Sequence, residues 1–315
     1  MKSDRDALAL PPHVTSTVVT VGTFDGVHRG HQDVLARLAE RGRATGRASV
    51  LLTFEPHPLE IVNPVAAPPL LTVGAEKLEV LAESGIDYVA VMPFTRPLAA
   101  LDAAEFVDRV LVERFRMAEL LMGYDHGFGR GRSGDVDALR RIGAARGIPV
   151  DVVPAVHMPD GHPISSTVIR RSVAGGDLTR AALALGRRYS VSGRVVHGAG
   201  RGRGIGFRTL NVQSPSPRKL LPPEGVYAVR VETPAGSFGG MLNLGPRPTF
   251  GEETPTIEAH LFDGEADLYD RWVRVDFVGW IRATQRFSGV DALRAQLAQD
   301  ETVARGLLSR PLAIG

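Results

Sequence analysis

Five short runs in the first half of the chain are apolar almost without interruption: VTSTVVTVG (14–22), ASVLLTF (48–54), YVAVMPF (88–94), AELLMGY (118–124) and IPVDVVPAV (148–156). A strand that is apolar along its whole length must be covered on both faces, so these runs demand a sheet with a layer on either side. The intervening stretches supply those layers. HQDVLARLAERGRATG (31–46), AEKLEVLAESG (75–85), LDAAEFVDRVLVERF (101–115) and DVDALRRIGAARG (135–147) carry apolar residues at helical spacing, and several end near a glycine. Strand and helix in alternation predict a Rossmann-like α/β domain with a parallel sheet. Two shorter helical stretches follow, SSTVIRRSVAGG and LTRAALALG.

After Gly186 the pattern changes. RRYSVSGRVVHG, GVYAVRVET, GSFGGMLNLG, TIEAHLF and RWVRVDFVGWIR are short, often alternating and broken by Gly and Pro, which predicts an antiparallel barrel or sandwich. GVDALRAQLAQDETVARGLL predicts a terminal helix. With 315 residues, 43% of them apolar, two domains of ordinary size are expected, spanning 1–186 and 187–315. No internal repeat or long low-complexity tract interrupts them.

Composition removes several function classes. Lys and Arg number 37 against 35 Asp and Glu, and a net charge of +2 is too small for a nucleic-acid coat. With no cysteine, disulfides, thiolate metal sites and Cys nucleophiles are excluded, which fits a reducing compartment. The first residues mix acids and bases around a very short apolar stretch, unlike a signal peptide, and no run reaches about 18 apolar residues. A cytoplasmic protein without nucleic-acid or membrane partners is expected; oligomeric state is not legible.

In a doubly wound sheet, ligands bind at the carboxyl ends of strands, and the first strand-to-helix turn is a favoured place. Here that turn is GTFDGVHRGHQ (22–32). Gly22, Gly26 and Gly30 allow close approach of the backbone to an anion, and the helix starting near His31 offers free N–H groups and a positive dipole end. His28 and His31 add ring N–H donors. Phosphate contact is favoured over metal ligation, because no further ligands stand nearby in the sequence and cysteine is absent. Structural hydrogen bonding is the remaining reading. For SSTVIRR the alternatives are a helix N-cap with a surface Arg or a second phosphate contact.

The H-x-G-H pattern in GTFDGVHRGHQ, together with TFEPHP (53–58) and ISSTVIRR (164–171), resembles the FAD synthetase branch of the nucleotidyltransferases. The resemblance implies adenylyl transfer from ATP to FMN. Gly22, Phe24, His28 and His31 would bind the ATP phosphates, joined by Ser166, Thr167 and Arg170. GYDHGFGRGRSGD (123–135) is similar to the family's flavin- and nucleotide-contacting segment through Asp125, Phe128 and Gly129, and departs from it at His126 and Gly127. FEPHP also reads as a Pro-stiffened turn in which His57 caps.

HGAGRGRGIGFRTLN (197–211) is rich in glycine but contains neither a P-loop G-K-[ST] nor G-x-G-x-x-G, which excludes a Walker-type kinase. With PEGVYAV (223–229), LNLGPRPTF (242–250) and IEAHLF (257–262), it resembles the riboflavin kinase module. That resemblance implies an antiparallel β-barrel domain with a terminal helix, a phosphate loop at Gly200, Gly202, Gly204 and Gly206, Mg²⁺ held by Thr209 and Asn211 with the ATP phosphates, and Glu258 as the base for the ribityl 5′-hydroxyl. Arg208 and Leu210 stand where the family has Pro and Ala. Either the module tolerates this or its kinase activity is weakened. For Glu258 a strand-exposed carboxylate is the other reading, since alternation alone cannot separate the two.

Together the resemblances imply a bifunctional flavin-nucleotide enzyme with riboflavin, FMN and ATP as its partners. An adenylyltransferase with a regulatory kinase module, a nucleotidyltransferase for another acceptor, and a flavin sensor are the rivals.

Overall fold

The structure, a computed structural model, describes residues 10–124, 127–197, 209–245, 256–263 and 267–311. They form two compact units, one of Met1–Pro68 with Lys77–Ser165 and one of Pro69–Glu76 with Ser166–Gly315.

The first unit holds β1 (Thr17–Val21), β2 (Ala48–Glu55), β3 (Tyr88–Pro93), β4 (Met117–Gly123) and β5 (Val150–Val153) in a parallel sheet of order β3-β2-β1-β4-β5. Each strand falls on one of the five apolar runs. Alternate residues serve opposite cores: Val19, Val21, Val50, Leu52 and Met122 enter one, Val18, Leu51 and Leu121 the other. The helices are α1 (Arg29–Thr45), α2 (Pro58–Val62), α3 (Gly74–Ala82), α4 (Arg96–Ala100), α5 (Ala103–Phe106) and α6 (Val136–Arg146). Helix α1 packs Val34, Leu35 and Leu38 against the second core and stops at Gly46, whose φ of 64° suits the left-handed cap. The strand order reverses at β1, so the turn after it lies at the switch point of the sheet.

Two departures from the expected pattern have local causes. The single helix expected over 101–115 starts with a capping box between Asp102 and Glu105, then widens after α5 into a π-helical segment, Val107–Val112. Tertiary packing of Val107, Val110 and Leu111 into the core overrides the regular period. Glu119, inside the apolar run of β4, is 1% exposed; Arg41 Nε at 2.5 Å and Arg47 Nη1 at 3.1 Å compensate its charge.

The second unit contains α7 (Ser166–Ala174), α8 (Leu178–Leu185), β6 (Ser190–Val196), β7 (Leu210–Gln213), β8 (Gly225–Thr233), β9 (Gly236–Gly245), β10 (Thr256–Leu261), β11 (Trp272–Arg282) and α9 (Val290–Leu308). Its strands close an antiparallel barrel, β10-β7-β6-β11-β8-β9, with β9 returning to β10. The barrel is the fold expected from the resemblance to the kinase module, where alternation alone left a sandwich open; closure removes the free edges that a sandwich leaves. β7 is a four-residue strand that begins at the last two residues of GFRTLN (206–211), too short for alternation to reveal. Helix α9 lays Leu297, Ala304, Leu307 and Leu308 over Ala228, Met241 and Phe262, and Asp300 accepts a bidentate fork from Arg282. Helices α7 and α8 group with the barrel, although the texture of the sequence changes only after Gly186.

Segment 69–76 also belongs to this unit. Leu70 pairs with Lys219 in a parallel bridge, and Lys219 Nζ donates to Glu76 Oε1 at 2.7 Å and to the Leu71 carbonyl at 2.6 Å. Both side chains are 1% exposed. Burial pushes the Glu76 carboxyl above its ordinary range, and the Lys219 ammonium opposes that shift. Lys219→Met should therefore destabilise the protein by about 3–5 kcal/mol, because Glu76 is left buried without its counter-charge. The double variant Lys219→Met/Glu76→Leu should recover most of the loss in urea unfolding.

Candidate active sites

The turn between β1 and α1 is built from unusual backbone. Phe24 (φ 45°), Gly26 (φ 83°) and Val27 (φ 40°) are all left-handed, which for a β-branched residue such as Val27 is a strained conformation. Interactions on several sides hold it there. Gly22 N–H donates to the Leu52 carbonyl at 3.0 Å, Val27 N–H to the Phe24 carbonyl at 3.2 Å, and Gln32 Nε2 to the Val27 carbonyl at 2.9 Å. Phe24 and Val27 are also buried, at 4% and 1% exposure.

This backbone brings together the two histidines and Phe24. His28, 6% exposed, is the N-cap of α1, its Nδ1 accepting from His31 N–H at 3.3 Å. The two imidazoles stack at 3.6 Å and 17°, and the Phe24 ring lies 4.6 Å from His31. Gly30 makes the stack possible in a way the sequence did not reveal: a Cβ there would lie 3.2 Å from His28 Nδ1. The result is a pair of rings at a helix N-terminus at the switch point, a geometry suited to an anion.

Sequence reasoning overlooked Lys77. Its ammonium donates to the Thr23 carbonyl and, at 2.6 Å, to Thr53 Oγ1, while Thr53 Oγ1 donates to the same Thr23 carbonyl at 3.1 Å. Burial lowers the Lys77 pKa to about 8, against the opposing pull of Asp25 and Glu55. A lone Lys at the start of an amphipathic helix carries no signal of this in sequence.

Other residues singled out from the sequence are distributed as follows. His57 caps α2, its Nδ1 accepting from Leu59 N–H at 3.2 Å, with Glu60 completing a capping box. Phe128 is 8% exposed and packs on Phe106 at 5.0 Å. Asp125 and His126 lie outside the described residues. Ser166, Thr167 and Arg170 stand in the first two turns of α7, in the second unit, where Arg170 Nε donates to the Pro69 carbonyl at 2.9 Å.

In the barrel, cross-strand register identifies the neighbours of Glu258. Glu258 on β10 stands directly opposite Asn211 of β7 on one side and Asn243 of β9 on the other. Directly opposed residues of antiparallel strands share a face, with Cβ atoms about 4.5–5.5 Å apart. Ile257 and Ala259 are buried at 3% and 0%, so the Glu258 face is the other one. Asn243 was not singled out from the sequence. Thr209 lies immediately before β7, and Asn211 also lines a cavity of about 530 Å³ with Ser214, Ser216, Lys219 and Thr256, within the range of small-molecule sites. Gly200, Gly202, Gly204, Gly206 and Arg208 lie outside the described residues.

Among the described residues, no three His, Cys, Asp or Glu side chains cluster as a metal site. The Thr209 hydroxyl and Asn211 carboxamide are hard oxygen donors, chemically suited to Mg²⁺, and the Glu258 carboxylate stands opposite Asn211 on the neighbouring strand. Nor, among the described residues, is any helix long and apolar enough to cross a membrane.

Two family models define a two-unit flavin-nucleotide transferase: FAD synthetase matches residues 10–168 and riboflavin kinase residues 185–308. The bifunctional riboflavin kinase/FMN adenylyltransferase of Escherichia coli (strain K12) is 42% identical over 292 residues, 91% of each chain. The protein of the same description from Pseudomonas fluorescens is 40% identical over 299 residues, 95% of each. A crystal structure of a macrolide-efflux protein from Streptococcus pneumoniae is 30% identical, with a TM-score of 0.83, and the match covers 96% of this chain and 98% of that one. The chain belongs to the bifunctional riboflavin kinase/FMN adenylyltransferase family.

Proposed function

We propose that this chain makes FAD from riboflavin in two ATP-dependent steps, with an adenylyltransferase domain at 1–186 and a kinase domain at 187–315. A cytoplasmic location fits the absence of cysteine and the use of ATP.

In the kinase step the ribityl 5′-hydroxyl attacks the γ-phosphorus of ATP, the bond to ADP breaks, and Glu258 takes the hydroxyl proton. Gly200, Gly202, Gly204 and Gly206 wrap the phosphates. Thr209 and Asn211 would hold Mg²⁺, which would supply neutralisation of phosphate charge. In the adenylyl step a phosphate oxygen of FMN attacks the α-phosphorus of a second ATP and pyrophosphate leaves. No protein nucleophile is needed. Gly22, Phe24, His28 and His31 hold the phosphates at the β1–α1 turn, with ring N–H donors directed at the charge on the α-phosphate and the departing pyrophosphate. Ser166, Thr167 and Arg170 add phosphate contacts, and Asp125 and Phe128 contribute to the flavin-nucleotide site.

The observation that carries the reading is the register of Glu258 against Asn211. It supports an active kinase in spite of Leu210, because the base and the carboxamide share a face and Leu210 pairs with the buried Ala259 instead. Purified protein incubated with riboflavin, ATP and Mg²⁺ should accumulate both FMN and FAD on chromatography. FAD formed only from supplied FMN would leave the alternative of an adenylyltransferase with a weakened or regulatory kinase module. Formation of neither would overturn the enzyme reading.

A further inference from the structure

We infer that Lys77 is a positioning residue for adenylyl transfer, holding the Thr23 carbonyl so that the left-handed turn presents the His28–His31 pair in its stacked geometry. The inference rests on the placement of ATP phosphates at that pair.

Three observations lead to it. First, the turn contains two non-glycine residues, Phe24 and Val27, in a conformation that costs on the order of 1–3 kcal/mol each and persists only when its surroundings impose it. Second, the residue just before Phe24 is the one that Lys77 grips. Lys77 Nζ, Thr53 Oγ1 and the Thr23 carbonyl close a triangle in which Lys77 donates to both oxygens, so the Thr53 hydroxyl is left to donate to Thr23. Third, this lysine forms no short carboxylate pair among the described residues; it donates to a carbonyl and a hydroxyl, although Asp25 and Glu55 lie near enough to act on it electrostatically. Lys77 is half-buried, and an ammonium that exchanges part of its hydration for neutral oxygens gains little for stability alone. The same arrangement fastens the carbonyl at the start of the left-handed turn that leads to His28 and His31.

The chemistry gives that fastening a use. Donors that act on a developing charge must already be in place, because a misplacement of about 1 Å costs on the order of 10²-fold in rate. The His28 ring is fixed by its cap and by the stack, but the residue before it, Val27, is tied through its N–H to the Phe24 carbonyl. Releasing Thr23 frees the first link of this chain.

The test uses the full chain, assayed for FMN formation from riboflavin and for FAD formation from supplied FMN. Thr53→Val keeps the volume and removes the hydroxyl; Thr53→Ser keeps the hydroxyl and loses a methyl group. Lys77→Met removes the ammonium. Expected results are a fall in the kcat of FAD formation of about 10²-fold in Lys77→Met and at least tenfold in Thr53→Val, with KM for FMN changed less than threefold. Thr53→Ser should stay within threefold of the parent, and FMN formation should stay within twofold in all three variants. A purely packing role predicts the opposite order, with Thr53→Ser worse than Thr53→Val, and would overturn the inference. So would FAD formation within twofold of the parent in both Thr53→Val and Lys77→Met. Should Lys77→Met fail to fold, the Thr53 pair alone decides. His31→Ala, run alongside, keeps the two readings apart: full FAD formation in that variant rejects the phosphate site itself, whereas its loss together with unchanged Lys77 and Thr53 variants rejects only the positioning role.

Discussion

Glu258→Gln should stop FMN formation from riboflavin and leave FAD formation from supplied FMN within about twofold of the parent. The substitution keeps the side-chain shape and the strand register against Asn211 and Asn243. What it removes is the ability to accept the 5′-hydroxyl proton. General-base catalysis contributes typically about 10²–10⁴-fold, so a loss of that size in kcat is expected, equivalent to about 3–5 kcal/mol of transition-state stabilisation. Binding contacts should be largely retained, so KM for riboflavin should move far less than kcat. Full kinase activity in this variant would return Glu258 to the status of an exposed strand carboxylate. Chromatographic separation of the three flavins gives both rates from one reaction.

His31→Ala should do the converse, losing FAD formation by about 10²–10³-fold while sparing FMN. The helix survives the change, because the cap accepts from the backbone N–H of residue 31 and not from its ring. His28→Ala is a less clean probe. It removes the cap acceptor as well, at a cost of about 0.5–2 kcal/mol of stability, and leaves the β1–α1 turn without the ring that Gly30 accommodates. If either His31→Ala or Glu258→Gln abolished both products while circular dichroism showed an intact fold, separate sites for the two reactions would be untenable.

Much of this molecule is legible in the sequence. Near-continuous apolar runs alternating with amphipathic stretches can be buried only in a sheet covered on both faces, and all five strands of the first unit fall on those runs. The glycines of GTFDGVHRGHQ and the two histidines mark the first turn, because local backbone freedom and residue chemistry are both written there. The terminal helix, the break in texture after Gly186 and the family motifs are likewise local signals.

What stayed hidden depends on partners distant in the chain. The choice of barrel over sandwich required the pairing of β9 with β10 and of β7 with β10, a closure that no single strand encodes. The role of Lys77 required β1, β2 and α3 to converge on one carbonyl, with Thr53 lying 24 residues away along the chain. Segment 69–76 joined the second unit through a buried pair whose members are 143 residues apart. Sequence by itself determined the two kinds of architecture and the residue types available for phosphate and proton chemistry, because periodicity and glycine placement act over a few residues. Only the tertiary structure decided that Glu258 faces Asn211 and that Thr23 is held by Lys77, because cross-strand register and buried electrostatics arise when distant segments meet.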